Sequence, residues 1–457
     1  MLCLHDSIRD DDPDMQRLLR AVEDAPSLPA LILAAWQVAR VLAVHLVEAV
    51  LAERAHRPTA WPPCPACGAS VQSKGFAPRQ MTSLCGPIRW QRRVGRCSKG
   101  CGIPQVAPLD DALGVQPHQR TSDEVQSLGC ALAVFAPFAT AARLLGWASG
   151  GTVSPRAVWC WVQAAGQRAM AQLHAQLQAL AQGDLPPEEP LAADLAAAPF
   201  LIGADGVMVP FRPEGGHPRG KTAWHEIKVG VLARLGRHTT RTGTVVARLH
   251  QRRLVAVFGD IEALKARLWL EAIRQGILHA PRVVWLSDGA RGLWHLFEER
   301  FAGHATGILD FYHAVHNLWK GAAAWLDGRT TQARRWFGWA RHRLRHGHPD
   351  GVLADLAEAL DLEHLPDTAR DTLRTVYMYL ERHREHIDYE TYKALGLPLG
   401  SGMVESACKW LIQQRFKGVG MRWSEDGFNH LLHLRLAWVN GTFATLFQVQ
   451  RQPSPNT

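Results

Sequence analysis

The sequence predicts an α/β protein: a mixed sheet with helices packed on it, carrying a helical insertion, and preceded by a small zinc-ribbon-like segment and a helical region. Three observations carry this. From Phe200, three strand-like runs follow one another with no helix between them: "FLIGADGVMVPF", "HEIKVGVLARLG" and "GTVVARLHQRRLVAVFG". Strand and helix then alternate through "DIEALKARLWLEAIRQGI", "RVVWLSDG", "ARGLWHLFEERF" and "ATGILDFYH". Strands in meander pair antiparallel, whereas strands joined through helices cross over and pair parallel, so one sheet of both kinds is expected. Finally, residues 316–395 show helical amphipathic patterning without a strand.

Composition sets the class. The chain has 457 residues, 47% of them hydrophobic and 20% charged, which describes a globular protein of several domains. Lys and Arg exceed Asp and Glu by 51 to 42. That excess favours polyanionic partners, and its clustering says more. From Arg219 to Arg253 there are nine Lys/Arg and one acid, Glu226, and from Gly328 to Pro349 six Arg and no acid. No run of 18 apolar residues is free of charge, so no membrane-spanning helix and no membrane partner is expected. The N-terminus lacks a signal-peptide pattern, and a cytoplasmic, nucleoid-associated protein with reduced thiols is the expectation.

The expected order of segments is N-terminal helices (1–58), the zinc-ribbon-like segment (59–110), a helical region (111–182), a Pro- and acid-rich linker (183–199), the first part of the sheet domain (200–315), the helical insertion (316–395), its second part (396–445) and a loose tail (446–457). The run "ALILAAWQVARVLAVHLVEAVLAERA" is apolar nearly all round and is expected to be buried against another helix or a partner subunit. Cys64 and Cys67 in "CPAC", then Cys97 and Cys101 in "CSKGC", are two short knuckles 29 residues apart, the pattern that supplies four thiolates to a structural Zn²⁺. Cys85 lies within the same segment, so the ligand set stays open. In "ATAARLLGWASGGTVSPRAVWCWV", a Gly-rich turn precedes Ser154, a good N-cap, and Pro155, a good first residue. This reads as a helix-turn-helix whose second helix presents Arg156 to DNA, or as a helical hairpin that only packs.

Four acids stand out in the sheet domain. Asp205 interrupts an apolar strand, where an uncompensated charge costs several kcal/mol. Asp288 ends a buried strand, the usual ligand-binding position of open α/β sheets. Asp310, with His313, follows another strand, and Glu405 begins the closing helix in "GSGMVESACK". Gathered carboxylates repel one another and need cations. Mg²⁺ (or Mn²⁺) is the natural choice, and two such ions serve phosphodiester chemistry. The plain alternatives are turn or cap roles for the aspartates and an ion pair of Glu405 with Lys409 at i+4.

The motifs "GADGVMV", "WLSDGARGLWHLF", "LDFYHAVHNLW" and "SGMVESACK…QRFKGVGMRWS" resemble the DDE transposases of bacterial insertion sequences, in particular the ISKra-type group, related in plan to Mutator-like transposases. The resemblance covers roughly residues 60–440. It implies an RNase H-like catalytic core in which Asp205, Asp288 and Glu405 form the metal-binding triad: Asp205 bridges two ions, and Asp288 and Glu405 hold one each. Asp310 and His313 match an auxiliary D-x-x-H signature. It also implies DNA as partner, both transposon ends and target, and a homo-oligomer that is at least a dimer. On that reading Arg415, Lys417 and Arg422 clamp the strand backbone and Trp423 stacks on a base. Arg334, Arg341 and Arg345, on one helix face, add phosphate contacts. The same triad would serve a nuclease or junction resolvase that cuts without joining. A non-catalytic DNA-binding regulator is the remaining alternative.

Overall fold

The structure is a computed structural model that describes residues 13–102, 105–213, 220–243 and 245–447. The first twelve residues, Arg219 at the head of the basic run and the tail from 448 onward lie outside the described residues. The chain forms two compact units, Met1–Val162 and Gln163–Thr457.

In the first unit, α1 (Pro13–Glu23) precedes α2 (Leu28–His56). Ser27 caps α2 by accepting from the Ala30 N–H, and Pro29 sits in its first turn. Leu51 of α2 packs with Met81, Ile88 and Trp90 of an antiparallel hairpin, β1 (Val71–Thr82) and β2 (Pro87–Cys97). One face of α2 packs on this hairpin, and much of the rest is exposed in the single chain. By length and composition alone α2 is apolar enough to cross a bilayer, because one or two charges do not outweigh so many aliphatic residues.

After a single short turn of helix at Pro108–Ala112 come α3 (Asp123–Phe135), α4 (Phe138–Ser149) and α5 (Pro155–Ala181). Gly150 ends α4 at φ +62°, where a side chain would also strike the Arg40 guanidinium. Ser154 caps α5 through the Ala157 N–H, 3.1 Å away. The division between units falls inside α5 and not at residues 183–199. That Pro- and acid-rich stretch is strapped to the second unit: Arg253 grips both Glu189 oxygens, and the Glu189 N–H donates to Arg274 O.

The second unit carries the expected mixed sheet. Its strands are β3 (Phe200–Phe211), β4 (Ala223–Thr239), β5 (Val245–Val257), β6 (Val283–Ser287) and β7 (Ala305–Leu309), in the order β5-β4-β3-β6-β7. The meander β3-β4-β5 is antiparallel, and β6 and β7 join β3 in parallel. The crossovers run through α6 (Ile261–Arg274) and α7 (Arg291–Leu296). Then come α8 (Phe311–Leu326), α9 (Thr331–Arg345), α10 (Pro349–Leu360) and α11 (Asp367–Arg382), whose apolar faces join one core with the sheet. The chain returns in α12 (Gly402–Ala407), which continues as a π-helical turn, Cys408–Gln413, and closes with α13 (Glu425–Val439).

Candidate active site

Strand register sets up the site. Ala204 of β3 pairs with Ser287 of β6, and Ser287 pairs with Leu309 of β7. The next residues are Asp205, Asp288 and Asp310, so three acids stand at one level on three neighbouring strands, about 4.8 Å apart strand to strand. Asp288 and Asp310 follow the carboxyl ends of the parallel strands β6 and β7, the position expected for a ligand site, whereas Asp205 lies mid-strand in β3, just past its last pair with β6.

Glu405 reaches the same place on α12. Gly203, two residues before Asp205, makes this possible: a methyl group there would lie 2.5 Å from Val404 Cγ2, so only glycine lets α12 seat on β3. Gly400 acts similarly beneath the Tyr312 ring, which lies 2.7 Å from where its Cβ would be. Gly203→Ala is expected to cost about 1–3 kcal/mol by overpacking, read as a lower urea midpoint. An unchanged midpoint would mean that α12 does not need this contact.

The electrostatics join the acids. Burial pushes the Asp205 carboxyl up; the Gly206 N–H, 2.7 Å from Oδ1, opposes this, and the charges of Asp288 and Glu405 push it further up. The Cys408 thiol, one turn beyond Glu405, lies 3.9 Å from Asp205 Oδ2, and burial followed by these carboxylates pushes it up to about 12, so it stays a neutral thiol. Asp288 accepts from the Ala290 N–H through one oxygen. Its carbonyl is held by the Trp294 indole N–H at 2.6 Å, and the Tyr379 ring covers Gly289. Glu405 is exposed, and among the described residues it forms no ion pair with Lys409, which instead lines a crevice with Trp410 and Arg252. The acids are not drawn into a tight cluster: among the described residues only four cysteines bring their ligand atoms within 4.8 Å of one another.

Asp310 differs from the others. It is 1% exposed, and its oxygens are already engaged. Oδ1 accepts from the His313 N–H at 2.8 Å, capping α8, and Oδ2 accepts from the Ser401 N–H at 2.5 Å. Burial pushes its carboxyl up, but bonds from the His313 ring and Ser401 outweigh this and hold it at about 2. Asp310 thus ties the end of β7 to the segment that carries Glu405. The His313 ring lies 3.3 Å from Asp310, which raises its pKa, and Asp288 and Asp205 add to the effect. Asp310→Ala is expected to cost about 1.5–3 kcal/mol, as for a buried charged hydrogen-bond partner, and to free the 399–405 segment for hydrogen exchange. Full protection of that segment in the variant would reject the tie.

The basic residues divide. Lys417 and Arg422 are exposed, the first 5.6 Å from the Trp224 ring centroid, the second donating to Gly220 O. Arg415 is corrected as a strand contact. It is 2% exposed and lies over the Trp423 ring, and burial pulls its pKa down to about 10. Trp423 is half-buried: its indole N–H donates to Phe416 O, and its backbone bridges to β3 at Phe211. On α9, Arg334 and Arg341 are exposed, while Arg345 is half-buried over the Phe311 ring, next to Asp310. Arg156 is exposed at the start of α5, 4.1 Å from the Trp159 ring centroid.

The four clustered cysteines are Cys64, Cys67, Cys97 and Cys101. Cys64 and Cys101 sulfurs are 3.2 Å apart, Cys67 and Cys97 sulfurs 3.5 Å. A tetrahedron of Zn–S bonds of about 2.3 Å has edges near 3.8 Å, so the thiol set fits the ion. The Cys101 N–H leads the bonds that hold the Cys97 thiol down at about 6, ready to ligate. Cys85 sits in the Ser83–Gly86 turn of the hairpin and is outside the cluster, which settles the choice left open by the sequence.

The chain is similar to a curated streptococcal protein. It is 26% identical over 375 residues to the "UPF0236 protein in vanSb 3'region" of Streptococcus gallolyticus, a match spanning 81% of this chain and 74% of the relative. No family model matches. Among solved structures it is similar to the "Drosophila P element transposase strand transfer complex", at 11% identity and a TM-score of 0.30, covering 74% of this chain and 96% of that one. Neither likeness by itself assigns a chemistry to the chain.

The structure adds residues that sequence reasoning did not single out. Gly203 and Val404 seat α12, Ser401 answers Asp310, Cys408 faces Asp205, and Tyr379 covers Gly289. Only Cys408 carried a readable signal, its i+3 spacing from Glu405.

Proposed function

We propose that the chain is a metal-dependent DDE transposase, which binds transposon ends, cleaves phosphodiester bonds and joins 3′-hydroxyl ends to target DNA. The observation that carries this reading is the acid row: Asp205, Asp288 and Asp310 at one level of a mixed sheet, with α12 seated against β3 so that Glu405 meets them. The antiparallel meander extended by parallel strands supports an RNase H-like core, and α8–α11 supply the helical insertion. Placement in the ISKra-type group rests on the sequence motifs.

Asp205, Asp288 and Glu405 would hold two Mg²⁺ or Mn²⁺ ions. When bound, these would polarise the scissile phosphate and stabilise its attacking and leaving oxygens. The chain's own residues do the rest. Asp310 is a positioning residue that fixes the Glu405 segment and orients His313. Lys417, Arg422, Arg334, Arg341 and Arg345 hold the DNA backbone by charge, which sets position without reading sequence. Arg415 and Trp423 build the loop that carries Lys417 and Arg422. The zinc-ribbon-like hairpin and the α4–α5 turn, with Arg156, recognise the ends.

The deciding experiment is strand transfer in vitro with DNA from the flanks of the gene, Mg²⁺ and a supercoiled target. Joined products are expected. Cleavage without joining would make the protein a nuclease or resolvase, and end binding with neither product would make it a regulator.

A further inference from the structure

We infer that the exposed face of α2 is a dimer seam that receives α2 of a second copy of this chain. Helix α2 has two faces of opposite character. The packed face holds the two charged residues of its middle turns, Arg40 and Glu48. Arg40 donates to Cys85 O and to Ser149 O, and Glu48 accepts from the Arg89 N–H at 2.7 Å. The outward face is the more apolar one: Leu28, Ile32, Leu33, Trp36, Leu46 and Val47 are 37–67% exposed. A soluble helix normally shows water its polar side, so this inversion marks a surface that is covered in the working protein.

The spacing names the occupant. Leu28, Ile32, Ala35, Ala39, Leu42, Leu46 and Ala49 follow one another by four and three residues alternately, a heptad seam with no charge in it. Such a seam is self-complementary, and a two-fold pairing brings the same patch of each copy together. Along that seam the large residues Leu28, Ile32 and Leu46 are 44–67% exposed, apolar surface that a second copy would cover. A bilayer fits less well. Crossing one would strip Arg40 and Glu48 of their partners, and lying on one calls for a Lys/Arg-rich polar face, whereas these two mid-helix charges are engaged with the protein's own fold. The seam belongs to the same unit as the cysteine hairpin and the α4–α5 turn, so pairing it would place two copies of that unit together.

The test uses the full chain with zinc, without DNA, at micromolar concentration. Light scattering is expected to give twice the 50.6 kDa chain mass. Ile32→Glu with Leu46→Glu is expected to give a single chain mass, with melting temperature and zinc content as in the parent. Ala39 is at the middle of the seam and meets its own copy whether the helices run parallel or antiparallel. Ala39→Cys is therefore expected to form a covalent dimer on mild oxidation that the parent does not form. A parent of single mass, a charged double variant that stays double, or a single-mass parent that floats with lipid vesicles would each overturn the inference.

Discussion

Asp205→Ala, Asp288→Ala and Glu405→Ala are each expected to lower strand cleavage by at least ~10³-fold, because groups that act as one unit fail together. Binding to end DNA, read by mobility shift, is expected to change less than about threefold, since the backbone contacts come from other residues. Normal cleavage by any one variant would remove that acid from the proposed triad. A second readout separates this from a purely structural role. Burial and the neighbouring carboxylates hold the Asp205 carboxyl above its usual range, so its ionised form opposes folding. The sign follows: stability lent by the protonated form at low pH is lost as pH rises through the raised pKa. At neutral pH in metal-free buffer, Asp205→Asn is therefore expected to raise the melting temperature while cleavage disappears. An acid kept only for the fold would show the opposite.

The second large effect lies in the cysteine hairpin. Cys64→Ser, or treatment with a strong chelator, is expected to remove one Zn²⁺ per chain and to open the hairpin to protease. Structural zinc contributes an apparent ~10–16 kcal/mol in finger peptides at neutral pH. Here the Leu51, Met81, Ile88 and Trp90 cluster retains part of the fold, so local opening is expected and not global collapse. Melting of the sheet unit should be unchanged. Zinc content that stays at one per chain in Cys64→Ser would reject the four-thiolate site.

Much of the fold was legible because strand periodicity and crossover rules act locally. The meander, the β-α alternation and the helical run 316–395 each have a sequence pattern of their own. The cysteine spacing was equally direct. Buried cations were not legible. Arg415 sits in a run of Lys and Arg, and nothing nearby distinguishes it from exposed Lys417; only folding buries it, with the Trp423 ring centroid 5.3 Å away. The role of Asp310 was hidden for the same reason, because its partner Ser401 lies far along the chain. For α2, apolar residues all round predict burial but do not say by whom. Gly203 looked like one more small residue in a strand until Val404 was set against it.

The acid row has a consequence in time. Its members are supplied by early, middle and late parts of the sheet unit, and Glu405 comes after the whole helical insertion. Contacts between such distant segments form late, because loop closure must be met first. On the ribosome the strands that carry Asp205 and Asp288 emerge and can pair while Glu405 is still unmade. A nascent or truncated chain therefore holds two of the three acids and lacks the third, and a protein proposed to cut the genome that encodes it stays unarmed until its synthesis is nearly complete.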